Sequence, residues 1–183
     1  MKKPNNIAQL IERIGRLVAN ANHENGFKPV QWETLLYLAQ ANVFSRNPRS
    51  LGEYLGVTKG SVSQTVSNLE RRGLLRKKND KADKRVVRLE LTAAGRACVA
   101  DIPLQELADS VGTLKAEQQQ ALKASLELVL REHLQLRDRK PFGQCRNCRY
   151  LQKPRGNFHC GLLNEPLKAQ NTEQICAEFE SIT

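Results

Sequence analysis

Aromatic residues are scarce in this 183-residue chain: one Trp, three Tyr and five Phe. Rings so few and so dispersed give no stacking face of the kind that grips single-stranded RNA. Long apolar runs are missing too. None approaches the roughly 18 residues of a spanning helix, and MKKPNNIAQLIERI offers two lysines but no apolar segment, because Gln9, Glu12 and Arg13 interrupt it. No membrane-spanning segment is therefore expected, and the cytoplasm is the default compartment. Only three histidines occur. His23 and His133 stand alone on helical patterns and read as core or surface residues, not ligands. Acidic residues are in deficit, 19 against 29 Lys and Arg, giving a net charge of +10. A pI near 9.6 favours an acidic partner, whether nucleic acid, a membrane surface or an acidic protein. A 40% apolar content suffices for one ordinary core plus an appendage.

What the chain does have is concentrated between Ser50 and Gly95. Leu51, Tyr54, Leu55 and Val57 supply a short helix, and Gly56 makes a turn. Val62, Val66 and Leu69 follow at i, i+4 and i+7, which sets one apolar stripe of a second helix against a core. Thr58 is placed to cap that helix, with Val57 and Val62 spaced as a hydrophobic staple. At about 100° per residue, Gly60, Ser61, Gln64, Ser67, Asn68 and Arg71 fall opposite the stripe. All but the glycine carry groups that hydrogen-bond base edges or phosphates, and Gly60, lacking a Cβ, permits close approach.

Gly73 ends this helix. Leu74 and Leu75 then start a strand, and Val87, Leu89 and Leu91 alternate with Arg88 and Glu90 as its return. The hairpin tip, residues 76–88, holds seven Lys or Arg against Asp80 and Asp83, half of the chain's net charge. Beside a polar helix face, such a concentration points to DNA and not to a merely solvated loop. Helix, turn, helix and basic hairpin in this order are the layout of a winged helix-turn-helix. The fold class is therefore mainly α with a small β-hairpin wing (α+β).

The blocks LGEYLGVTKGSVSQTVSNLERRGLLRK, DKADKR and LELTAAGR resemble the MarR family of winged-helix transcriptional regulators. That family's wing carries Asp-x-Arg ahead of a Leu-Thr-x-x-Gly that opens the next helix. Asp83, Lys84 and Arg85, then Leu91, Thr92 and Gly95, match it. The resemblance follows the order of elements over about residues 6–139 and is specific over 50–95. It implies a symmetric homodimer on double-stranded DNA, one recognition helix per major groove and Arg85 in the adjacent minor groove. It also implies an imperfect palindrome as target. Relatives often bind a small-molecule effector between the dimer helices and the winged helix, and nothing in this sequence identifies one.

The flanks read as packing elements. Ile7, Leu10, Ile11, Ile14, Leu17 and Val18 form a stripe that ends near Gly26, and Trp32, Leu35, Leu36 and Leu38 mark a helix entered through Pro29. Thr92 caps a helix expected to bend near Pro103. Leu122, Leu126, Val129 and Leu130 then belong to a long helix over about 115–137. Residues 1–139 thus form the DNA-binding and dimerisation domain, with its core at about 29–95 and dimerisation helices at about 6–25 and 93–139. An amphipathic helix must bury its stripe, and a second subunit is the economical place. Cys98 reads as a buried structural thiol.

Beyond Lys140 the chain is punctuated by Pro and Gly, and no long helical stripe survives. The module at residues 140–183 is near the limit for folding on its own core and needs a staple. Cys145 and Cys148 form a C-x-x-C knuckle, followed by isolated Cys160 and Cys176. Four such thiols in a cytosolic chain point to a metal rather than to disulfides. Arg146, Arg149, Lys153 and Arg155 are placed to offset the net −2 charge that four thiolates leave on either Zn²⁺ or an oxidised 4Fe-4S cluster. Charge therefore does not choose between them. With one knuckle and two separated cysteines, the spacing leans to an iron–sulfur cluster, and zinc is the alternative. The stretch also resembles small cysteine-ligated iron–sulfur modules whose last cysteine precedes acidic or aromatic residues, as in CAEFE. His159 is a reserve ligand only, since adjacent residues rarely both point inward.

The combined expectation is a DNA-binding transcriptional regulator, not an enzyme, with direct readout by Ser61, Gln64 and Asn68. Phosphates fall to Lys59, Ser67 and Arg71, and minor-groove or phosphate contact to Lys84 and Arg85. An iron–sulfur centre makes the module a sensor of oxygen, redox state or iron; zinc makes it a fixed clip. A dithiol redox enzyme using Cys145 and Cys148 is the competing class, but the segment lacks the strand and helix context of a thioredoxin-like site. An RNA-binding or scaffold role is a further alternative for the basic surface.

Overall fold

The computed structural model describes residues 6–24, 26–79, 86–100 and 104–182; of Asn22, His23, Glu24, Ala100 and Arg155 it describes the backbone alone. Helices α1 (Asn6–Glu24), α2 (Pro29–Gln40), α3 (Pro48–Leu55) and α4 (Lys59–Arg71) precede the antiparallel hairpin of β1 (Leu75–Asn79) and β2 (Val87–Leu91). Helices α5 (Ala93–Ala100), α6 (Leu104–Gly112) and α7 (Ala116–Leu136) follow. The bend expected near Pro103 lies outside the described residues.

Helix α2 is the hub of the core. Pro29 occupies its first turn, where the missing N–H costs nothing. Its buried residues include Trp32, Leu35, Tyr37 and Leu38. Leu36, expected on that face, is only partly buried, while Thr34 and Tyr37 are fully enclosed. Around it pack Leu51 of α3, Val62, Val66 and Leu69 of α4, and Leu75, Leu89 and Leu91 of the hairpin. Cys98 is half-buried against this cluster, not enclosed by it.

Local chemistry fixes the helix-turn-helix. Asn47 accepts from the Ser50 N–H at 2.9 Å to cap α3, and Thr58 accepts from the Ser61 N–H at 3.2 Å to cap α4. Between them Gly56 adopts φ 65°, the left-handed conformation that favours glycine. At the far end of α4, the Gly73 N–H donates to the Glu70 carbonyl and the Leu74 N–H to that of Leu69. This Schellman arrangement turns the chain directly into β1.

Gly95 shows why the hairpin needs a glycine in the helix that follows. Thr92 Oγ1 accepts from the Gly95 N–H at 3.1 Å and donates to the Gly73 carbonyl at 2.7 Å. That draws α5 onto the entrance of β1, where a Cβ on Gly95 would overlap the Leu74 carbonyl oxygen. The obstacle is backbone and not a flexible side chain, so a larger residue has no inexpensive relief.

The terminal helices leave apolar stripes uncovered. Ile7, Leu10, Ile11, Ile14 and Leu17 of α1, and Leu122, Leu126, Val129 and Leu130 of α7, are 39–62% exposed. Among the described residues no helix is long and apolar enough to cross a membrane.

The tail is built from short strands and 3-10 turns rather than α-helices. β3 (Gly143–Gln144) pairs with β7 (Ile175–Cys176), while β4 (Leu151–Gln152), β5 (Phe158–Cys160) and β6 (Glu165–Leu167) form a second antiparallel sheet. It is not detached from the winged helix. Phe142 stacks edge-on against Tyr54, with ring centroids 5.2 Å apart, and Ile175 packs on the main core.

Candidate functional site

One face of α4 remains open. Lys59, Gly60, Ser61, Gln64, Ser67 and Arg71 are exposed, as the periodicity predicts, and Ser63 joins them. Sequence reasoning passed over Ser63, although it lies one turn after Lys59. A Cβ on Gly60 would meet no protein atom nearer than Thr58 Oγ1 at 3.9 Å, so the fold itself places no demand for glycine there. Asn68 differs from the expectation of an open reading group. It is half-buried, and its Oδ1 accepts from Gln31 Nε2 of α2 at 2.8 Å. The same face thus holds one anchored position among open ones, and periodicity alone does not separate them.

The wing is less uniformly cationic than its composition implies. Arg76 donates to Glu90 at 2.7 Å and Lys77 to Glu70 at 2.7 Å, while Lys78 lies 3.5 Å from Glu90. Hydrogen bonds from Lys77 hold the Glu70 carboxyl below its ordinary range, and those from Arg76 do the same for Glu90. Such exposed pairs add little stability, but they orient β1 and offset charge at its base. Lys84 and Arg85 lie outside the described residues, as does the rest of the tip at 80–85.

Beside this surface runs a groove of about 990 Å³ between α3, α4, the wing and residues 138–140. Val57, Val62 and Val66 contribute its apolar part, and Arg49, Lys59, Lys77, Arg139 and Lys140 give it a basic border. Arg139, just beyond α7, lays its guanidinium against Gly56 at the turn of the helix-turn-helix. A side chain at Gly56 would collide with it.

Strand pairing in the tail draws its four cysteines together. Cys145 begins a 3-10 turn, residues 145–147, and the Cys148 N–H closes back on the Cys145 carbonyl at 3.0 Å. Immediately before this knuckle, β3 pairs with the strand that carries Cys176, and just after it Leu151 is paired with Cys160. The four cysteines are only 5–8% exposed. Burial, then the neighbouring thiols of Cys176, Cys148 and Cys160, pushes the Cys145 thiol up to about 11. Among the described residues, however, no three His, Cys, Asp or Glu side chains are placed so that they could hold a metal ion. The convergence is one of backbone topology, burial and thiol proximity.

One sequence expectation changes here. The basic neighbours are engaged elsewhere: Arg146 with Glu173, Arg149 with Glu180 at 3.2 Å, and Lys153 over the Phe158 ring at 4.6 Å. The knuckle also has no thioredoxin-like surroundings, and a raised Cys145 pKa is the opposite of what a dithiol catalyst needs. His159 pairs with Gln152 and alternates with Cys160 along β5, which sets it on the other side of the strand.

A capped helix-turn-helix, a hairpin wing and uncovered terminal helices define a winged-helix fold. Residues 25–86, from the end of α1 into the wing, match the model of the MarR family. The chain is similar to S. aureus MepR, solved in complex with DNA, at 22% identity and a TM-score of 0.56 over 69% of this chain and 94% of that one. It is also similar to a MarR transcriptional regulator from Methanosarcina mazei Go1, at 22% identity and TM-score 0.57 over 71% and 97%. For the transcriptional regulator PA3341 the values are 26% and 0.60, over 73% and 96%. These structures are covered almost whole, whereas part of this chain has no counterpart in them. No curated protein matches the sequence.

Proposed function

We propose that this chain is a sequence-specific, DNA-binding transcriptional regulator that works as a homodimer and carries a metal centre on its C-terminal tail. The open polar face of α4, beside the hairpin, carries this reading. A helix of that width fits the major groove, and its first two turns are the ones that meet base edges. Ser61 and Gln64 read bases. Lys59, Ser67 and Arg71 hold phosphates, and Lys84 and Arg85 extend the contact along the wing. Asn68 serves mainly to hold α4 against α2 through Gln31, a role its half-buried position supports.

The stripes of α1 and α7 favour a dimer. Two recognition helices related by a two-fold axis would read an imperfect palindrome with half-sites about 10–10.5 bp apart. Relatives named as transcriptional regulators, one of them solved with DNA, agree with this role.

The strand pairing that sets the chain at Cys160 and Cys176 near the buried Cys145 and Cys148 knuckle favours a Cys145, Cys148, Cys160 and Cys176 metal site. A 4Fe-4S cluster is the first reading, on the spacing of one knuckle and two separated cysteines, and it would give the module a sensory role through cluster loss. Zinc is the second, favoured by the small sheet of β4, β5 and β6 directly after the knuckle, which suits a fixed clip.

Two substitutions separate the DNA contacts by type. Gln64→Ala is expected to cost about 1–3 kcal/mol of discrimination at one base position. Arg85→Ala is expected to weaken all sequences alike and to reduce the salt slope of binding by about 1. Binding titrations against a panel of single-base operator variants, at several salt concentrations, check both. An unchanged base preference in Gln64→Ala contradicts the assignment of this face.

A further inference from the structure

We propose that the loop at residues 41–47 couples occupancy of the cysteine centre to the DNA-reading elements. The proposal rests on the metal-centre reading given above. The loop has the cysteine tail on one side and the wing on the other. On the tail side, the Asn42 N–H donates to the Ile175 carbonyl at 2.8 Å, and the Ala177 N–H donates to Ser45 Oγ at 2.8 Å. Cys176 lies between these two bonds. A cysteine of the tail is thus seated by residues about 130 positions earlier in the chain. Asn42 and Ser45 are 2% and 1% exposed.

On the other side the same loop holds the DNA-reading elements. The Leu89 N–H of β2 donates to the Arg46 carbonyl at 2.8 Å, and the Arg88 guanidinium donates to the carbonyls of Val43 and Phe44 at 2.8 and 3.1 Å. Asn47 caps α3. Tyr37 of α2 donates to the Ser45 carbonyl at 2.8 Å and anchors the middle of the loop.

The coupling follows from the cost of undocking. A tail of this size has too little apolar core to order itself, so a metal bound by its thiols supplies the order. Without that order Ile175 and Ala177 leave the loop, and the enclosed Asn42 N–H and Ser45 Oγ lose their partners. Unmet groups in such a setting are costly, so the loop rearranges, and the α3 cap and the base of the wing are attached to it. Metal-loaded protein therefore binds DNA more tightly than stripped protein.

The test uses the full chain, a duplex selected from random DNA, and Zn²⁺ alone as the probe ion, compared with chelator-stripped protein. Loading is expected to tighten DNA binding by about 5- to 150-fold, and the duplex to raise Zn²⁺ affinity by the same factor, because linkage is reciprocal. Hydrogen exchange at the amides of Asn42, Leu89 and Ala177 should accelerate on stripping. Ser45→Ala keeps all four thiols and should still bind one Zn²⁺ per chain, with the coupling factor reduced towards one. If that variant does not fold, the reciprocal measurement on the natural chain decides alone. One Zn²⁺ per chain with equal DNA affinity in both states, and exchange changes confined to residues 143–182, overturns the coupling and leaves the metal centre standing. Absence of Zn²⁺ binding overturns both.

Discussion

Leu126→Glu is expected to leave the chain monomeric and to weaken its binding to a palindromic operator by about 10²- to 10⁴-fold. Leu126 sits in the middle of the α7 stripe, between Leu122 and the pair Val129 and Leu130, all exposed in the single chain. A carboxylate there would be desolvated within an apolar stripe, a cost that opposes association. The α4 face and the wing are remote in function from this site and keep their own fold. What is lost is the second binding event, which in a dimer is intramolecular and benefits from effective concentration. Sedimentation or light scattering gives the mass, and a gel-shift titration gives the affinity. A dimeric Leu126→Glu protein with undiminished affinity would place the subunit contact elsewhere.

Cys176→Ser is expected to abolish metal retention, and Cys145→Ser, Cys148→Ser and Cys160→Ser to do so to a similar degree. A four-thiolate shell that loses one member admits water and competing ligands. The pairing of β3 with β7 places Cys176 beside the knuckle, so its loss opens the shell from the side that faces the winged helix. Cys98→Ser, half-buried on the main core, should leave metal content unchanged. Metal analysis of anaerobically purified protein, together with its visible spectrum, reads the result. A brown preparation that bleaches in air identifies the cluster, and a colourless one with one zinc per chain identifies the clip. Unchanged metal content in Cys176→Ser would reject the four-cysteine site.

The parts of this protein governed by local rules were legible in its sequence. Val62, Val66 and Leu69 announce the buried side of α4, Thr58 and Gly56 its start, and Gly73 its end, because caps and left-handed glycines act within a few residues. The hairpin register follows from the alternation of Val87, Leu89 and Leu91. Gly95 was visible as part of a pattern, but its cause, the Leu74 carbonyl, lies across the hairpin. Features that join distant segments gave no such signal. Gln31 reaching Asn68 and Ser45 meeting Ala177 depend on packing between elements, for which hydrophobic periodicity carries no marker. The acidic partners Glu70 and Glu90 likewise lie outside or across from the basic run they temper. The tail, read as an appendage, is seated on the winged helix through Phe142 and Ile175, two apolar residues with no periodic neighbours to betray their destination.

The central claim is that two copies of α4 read duplex DNA together. It is tested most directly by selecting bound sequences from random duplexes and footprinting the winner alongside the mass of the complex. The account predicts an imperfect palindrome with half-sites about 10–10.5 bp apart, protected symmetrically by two chains. A single asymmetric half-site protected by one chain, or a preference for single-stranded RNA over every duplex, would contradict it.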